Sequence, residues 1–82
     1  MSWKLLSFVS RSEQRRSIIM SLVIPKTPSK IAKETKLAIA HVSRSLREFE
    51  DKGIVECKTP KEKVGRIYVL TKDGKDILKK IK

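Results

Sequence analysis

His41, Ser43, Arg44 and Arg47 fall in one short stretch, and each side chain can donate hydrogen bonds to an acceptor-rich partner. Between them Val42, Leu46 and Phe49 recur at spacings of four and then three, the signature of one buried helical stripe running from Ile39 toward Gly53. Residues off that stripe, namely Ala40, His41, Ser43, Arg44 and Arg47, are the ones such a helix presents outward. An α-helix fits the major groove of duplex DNA, where base edges offer acceptors and methyl groups. Arg44 is expected to read a base, because its planar fork matches the two acceptors of guanine, worth about 1–3 kcal/mol in discrimination. Ala40 suits a thymine methyl, and Arg47, nearly one turn further along, suits a phosphate. The competing reading of Arg44 is a solvated surface charge.

Two more groups of residues fit a phosphate backbone. Thr27, Ser29 and Lys30 stand at the start of a short helix, where amides and hydroxyls hold anions. Lys58, Lys61, Lys63 and Arg66 lie on both arms and the tip of an expected hairpin, adding salt-dependent affinity. The alternative for them is a charged edge that blocks strand-to-strand aggregation. Other chemistry finds little support. His41 is the only histidine and Cys57 the only cysteine, which argues against a metal site and excludes an all-thiolate zinc site or an internal disulfide, and no cofactor is expected. Cys57 reads as a small core or edge residue. Glu48, Glu50 and Asp51 read as a solvated helix face, and with no Gly-rich phosphate loop or activated nucleophile the chain is not expected to be an enzyme.

The bulk composition agrees. Lys and Arg total 20 against 9 for Asp and Glu, and the resulting charge of +11 draws the chain to a polyanion, most simply nucleic acid. An anionic membrane is the rival, but only the first nine residues approach an amphipathic anchor. No run nears the ~20 apolar residues of a membrane span, and the start lacks a cleavable leader, so a soluble, cytoplasmic protein is expected.

These residues need elements to position them, and 82 residues suffice for a single domain, 1–82. The segment 1–9 is densely apolar and is expected to dock. Ser10 and Glu13 have capping-box spacing, which places a helix start at Arg11 and its end near Ile24-Pro25. Thr27-Pro28 supplies a cap and a first-turn proline, opening a helix-turn-helix over 28–53 with its turn at Lys36-Leu37. Gly53 then suits a left-handed cap with Ile54 folding back on Phe49. Runs at 54–58 and 66–70 make the hairpin, a wing spanning 54–70. Thr71 caps a last helix over 72–82, with Ile77, Leu78 and Ile81 on one strip. Trp3, Leu5, Leu6 and Phe8, together with Ile77, Leu78 and Ile81, are expected at a homodimer interface; the alternative is that they cover this chain's own core.

The fold class read from this order is mainly α with a small β-hairpin, a winged helix-turn-helix with a three-helix core, a two-stranded wing and a C-terminal helix. From Thr27 to about Ile77 the sequence resembles the DNA-binding domains of bacterial and archaeal transcription regulators of the MarR and ArsR type. The resemblance is carried by Thr27-Pro28-Ser29, Ile31-Ala32, Leu37, Val42-Ser43-Arg44 with Leu46, Lys52-Gly53-Ile54-Val55-Glu56, Gly65-Arg66 and Tyr68-Val69-Leu70-Thr71-Lys72-Asp73-Gly74. It implies a sequence-specific regulator of transcription, most simply a repressor, binding double-stranded DNA. Non-specific coating of DNA and a protein-binding winged module are the alternatives. Two positions depart from the pattern. Lys36 stands where the turn usually has glycine, costing about 1 kcal/mol if left-handed, and Ala38 replaces a capping hydroxyl worth about 1 kcal/mol.

Overall fold

The structure, a computed structural model, describes residues 3–82. In chain order the elements are α1 (Trp3–Ser10), α2 (Glu13–Ser21), α3 (Pro28–Thr35), α4 (Ile39–Asp51), β1 (Val55–Cys57), β2 (Tyr68–Leu70) and α5 (Lys72–Ile81). Among the described residues no helix is long and apolar enough to cross a membrane. Residues 1 and 2 of the expected apolar segment lie outside the described range.

The apolar N-terminal segment is a helix of its own, and this moves the start of the next one. The expected cap at Ser10 is corrected to Ser12, whose hydroxyl oxygen accepts from the Arg15 amide at 3.2 Å, and α2 begins at Glu13 rather than Arg11. Ser10 is instead the last residue of α1, its hydroxyl donating to the Ser7 carbonyl at 3.4 Å. Arg15 reaches back to the Phe8 carbonyl at 2.9 Å and Arg16 to that of Ser10, so two guanidiniums satisfy the open end of α1. Glu13 places a carboxylate at the positive end of α2.

The helix-turn-helix follows the expected local chemistry. Thr27 Oγ1 accepts from the Lys30 amide at 3.3 Å with Pro28 at the first helical position. Lys36 sits at φ 62°, a left-handed residue that closes the turn, and Ala38 precedes α4 with no side-chain cap. At the far end Gly53 has φ 75°, its amide donating to the Glu50 carbonyl at 3.0 Å and that of Ile54 to Phe49 at 2.8 Å. That pair of bonds is a Schellman motif.

β1 and β2 are antiparallel, with Val55 opposite Leu70, Glu56 opposite Val69 and Cys57 opposite Tyr68. Each strand is three residues, shorter than the runs expected at 54–58 and 66–70, because pairing gives way to turn bonds. Thr59 Oγ1 takes the Ile67 amide at 2.9 Å, and the proline at position 60 has no N–H to extend the ladder. The other edge of β2 is covered by Lys26, whose amide and carbonyl bond the Tyr68 backbone at 3.1 and 2.9 Å. Lys26 is buried, and its ammonium is held by the Ser21 carbonyl and by Glu34 at 2.6 Å.

One core joins these pieces. Val9, Ile18, Ile19, Ile31, Val42, Leu46, Phe49, Ile54 and Ile77 are fully enclosed. Phe8 meets Phe49 edge-on at 6.1 Å, with the Arg15 guanidinium 3.8 Å from the Phe8 ring centre. Thr71 fastens α5 to the end of α4, since its hydroxyl donates to the Gly53 carbonyl at 2.6 Å and accepts from the Gly74 amide at 3.1 Å.

The core also corrects part of the expected interface between copies. Ile77 has no exposed surface, while Leu5, Leu6, Phe8, Leu78 and Ile81 are partly buried against their own chain's core. α1 and α5 pack on each other within the chain, which takes up part of the apolar strips assigned to a second copy. Trp3 alone of that group is largely open, at 78% exposure.

Candidate nucleic-acid interface

α4 is anchored by Val42, Leu46 and Phe49, and by Ser45, a buried small residue that lets the helix pack closely. At 100° per residue, the arc opposite these four carries Ala40, Arg44, Arg47 and Asp51. Ala40, Arg44 and Arg47 are all exposed. The outward face thus carries its two arginines mid-helix, at Arg44 and Arg47, and is acidic at its end, where Glu48 and Asp51 lie. A polyanion is therefore favoured ahead of that acidic end, around Arg44 and Arg47.

Beside this face, α3, α4 and the wing enclose a cleft of about 460 Å³. Thr27, Pro28 and Ser29 form one wall, Ile39, Ser43, Arg47 and Glu50 the second, and the segment Lys63 to Arg66 with Tyr68 the third. Residues from three separate stretches of sequence, the start of α3, α4 and the wing tip, thus share one concave surface. Lys30 is exposed on the first turn of α3, and Lys61 is exposed in the turn that opens the wing tip.

Three expected residues stand differently. His41 is half-buried on the flank of α4 away from the cleft, and its Nε2 is covered and without a hydrogen-bond partner, so that nitrogen is not on the open face. Lys58 points to the outer face of the sheet, where it pairs with Glu56 at 2.9 Å, because residues alternate sides along β1 and Lys58 shares the side of Glu56. Arg66 is half-buried, its guanidinium beside the Cys57 sulfur and 5.9 Å from the Tyr68 ring centre. Cys57 and Tyr68 raise its pKa above the ordinary arginine value, and an arginine carries its charge at any working pH. Burial pushes the Tyr68 phenol above its usual value, with the Arg66 charge opposing.

Sequence reasoning missed Ile39, Glu50, Val64 and Tyr68 as parts of this surface. Ile39 is 52% exposed and Val64, at the wing tip, 87% exposed. Glu50 is exposed, as expected of a solvated face, and also borders the cleft. Its signal was present, since positions 39, 43, 47 and 50 repeat at four, four and three and define one side of α4. Among the described residues no group of three or more His, Cys, Asp or Glu converges.

No protein-family model matches the sequence, and no curated protein matches it. Solved structures do. The reduced form of MarR from E. coli superposes with a TM-score of 0.76 at 24% identity, covering 94% of this chain and 59% of that one. Wild-type ZitR from Lactococcus lactis, in complex with DNA, gives 0.72 at 20% identity, over 80% of this chain and 47% of that one. The type III plasmid segregation protein TubR gives 0.78 at 13% identity, over 93% and 79%. The chain therefore has a winged-helix fold. It spans about half the length of ZitR.

Proposed function

We propose that this chain is a sequence-specific duplex-DNA-binding regulator of transcription, acting as a repressor. One observation carries the reading: the exposed arginine face of α4, Arg44 and Arg47, lies beside a cleft whose walls bring Ser29, Arg47, Lys63 and Arg66 to a common surface. α4 enters the major groove, with Arg44 reading a guanine, Ala40 against a thymine methyl and Ser43 within reach of a base edge. Thr27, Ser29, Lys30 and Arg47 hold the backbone, and Lys61, Lys63 and Arg66 grip the flanking phosphates or minor groove. The ZitR structure is a DNA complex, which supports this docking for a chain of the same fold.

The reading includes a homodimer, so that two domains meet half-sites one helical turn apart. Its contact would be made by the open side of α1, where Trp3 is exposed, and not by Ile77. Selection of bound fragments from random duplex DNA tests the whole. A regulator enriches one motif, and a dimer enriches a palindrome; enrichment of no motif would leave only coating by the +11 charge.

A further inference from the structure

On the outer face of the sheet, between the end of α2 and α5, runs a second groove of about 670 Å³. Its floor is apolar. Val23 and Ile24 are 57% and 56% exposed, unusual for such residues on a small basic protein, and Val69 and Leu78 continue the surface. Its rim is cationic, formed by Lys58, Lys75, Lys79 and Lys82. Lys75, Leu78, Lys79 and Lys82 follow an i, i+3, i+4, i+7 spacing, so one face of α5 supplies both apolar and charged groups. Glu56, the acidic residue of the lining, is neutralised by Lys58 at 2.9 Å. Lys75, Lys79 and Lys82 form no ion pair among the described residues.

We propose that this groove docks an acidic amphipathic segment of a partner protein, with apolar side chains on the floor and carboxylates against the lysine rim. Charge and polarity together select that occupant. A nucleic-acid backbone would satisfy the rim but leave the floor wet and unfilled. A second copy of this chain would set lysines against a molecule of charge +11. Its one acidic run, Glu48 to Asp51, has no apolar residue to offer, because Phe49 is fully buried. The groove shares no lining residue with the cleft beside α4, so a partner held there leaves that cleft open.

The test is an NMR titration of the isotope-labelled full chain with three probes. One is a synthetic helical peptide with leucines on one face and glutamates on the other. The second is an all-polar glutamate peptide of equal charge, and the third is phosphatidylglycerol vesicles. The expected result is saturable shifts at Val23, Ile24, Val69 and Leu78 with the amphipathic peptide alone. Replacing Lys75→Glu and Lys79→Glu together should weaken that binding about tenfold, and both lysines are exposed, so the melting temperature should hold. The proposal is overturned by equal binding of the all-polar peptide, by shifts at Arg47 and Lys63 instead, by binding of vesicles without peptide, or by no saturable shift at millimolar peptide.

Discussion

Arg44 and Arg47 are neighbours on α4 with different surroundings. Arg44 stands on the outward arc clear of every wall, whereas Arg47 borders the cleft that faces the wing. Arg44 is exposed and makes no hydrogen bond or ion pair among the described residues, so it is free to reach into a groove, and its loss should cost the fold little. Arg44→Ala is therefore expected to leave the melting temperature unchanged and to remove about 1–3 kcal/mol of preference at one base pair. Competition among duplexes altered one position at a time would read this. A uniform loss across all duplexes would make Arg44 a phosphate contact. Tyr68 is a second residue whose surroundings predict a measurement. It is the chain's only tyrosine, so tyrosinate absorbance reports it directly. Burial holds its phenol above the ordinary value of about 10, which means the unfolded chain loses that proton first. The contribution to stability is thus complete below pH ~10 and falls as pH rises through the folded-state value. Denaturant melts should show this single downward limb in alkali, and Tyr68→Phe should remove it.

At the scale of elements, two positions test how the helices are joined. Gly74 lies in the first turn of α5 against the strand before it, and a Cβ built there would fall 2.2 Å from the Ile54 carbonyl oxygen and 3.1 Å from the Leu70 side chain. That oxygen already accepts the Thr71 amide at 3.0 Å, so it cannot yield without loosening the start of α5. Gly74→Ala should destabilise by about 1–3 kcal/mol, although alanine is the better helix former by about 1. Lys36 is the converse case. Its φ of 62° closes the turn before α4 at a cost glycine would not bear, and Lys36→Gly should raise stability by about 1 kcal/mol. Urea melts of both variants would show opposite shifts in midpoint with unchanged slope. These joints also show what a sequence reveals. Thr27-Pro28, Lys36 and Gly53 act through their own backbone angles and nearest amides, so the limits of α3 and α4 were legible. Ser10 and Ser12 were equally good caps by type, and the choice fell to Ser12 because α1 claims Ser10 for its last turn. The Lys26 bridge to Tyr68 joins distant segments and left no local sign. The outward arc of α4 was readable from periodicity. The cleft was not, because Val64 and Tyr68 reach it only through the pairing of the wing.

At the scale of the whole molecule, part of the positive charge gathers on two surfaces, and salt dependence distinguishes them. Around α4 and the wing lie the backbone-holding cations Lys30, Arg47, Lys61, Lys63 and Arg66, while Lys75, Lys79 and Lys82 rim the groove on the other face of the sheet. If duplex DNA is held at the first surface, each cation that neutralises a phosphate releases about 0.9 counterion, so these five give a log–log slope near −4.5 per domain. The net charge of +11 would allow a far steeper dependence were the whole surface engaged. Lys63→Ala should therefore lower the slope by about 0.9, whereas Lys79→Ala, equally exposed and equally charged, should leave it unaltered. Binding isotherms at several salt concentrations measure both. Equal effects of the two substitutions would mean that DNA senses only total charge, and the concave surface built by α3, α4 and the wing would then have no special part in holding it.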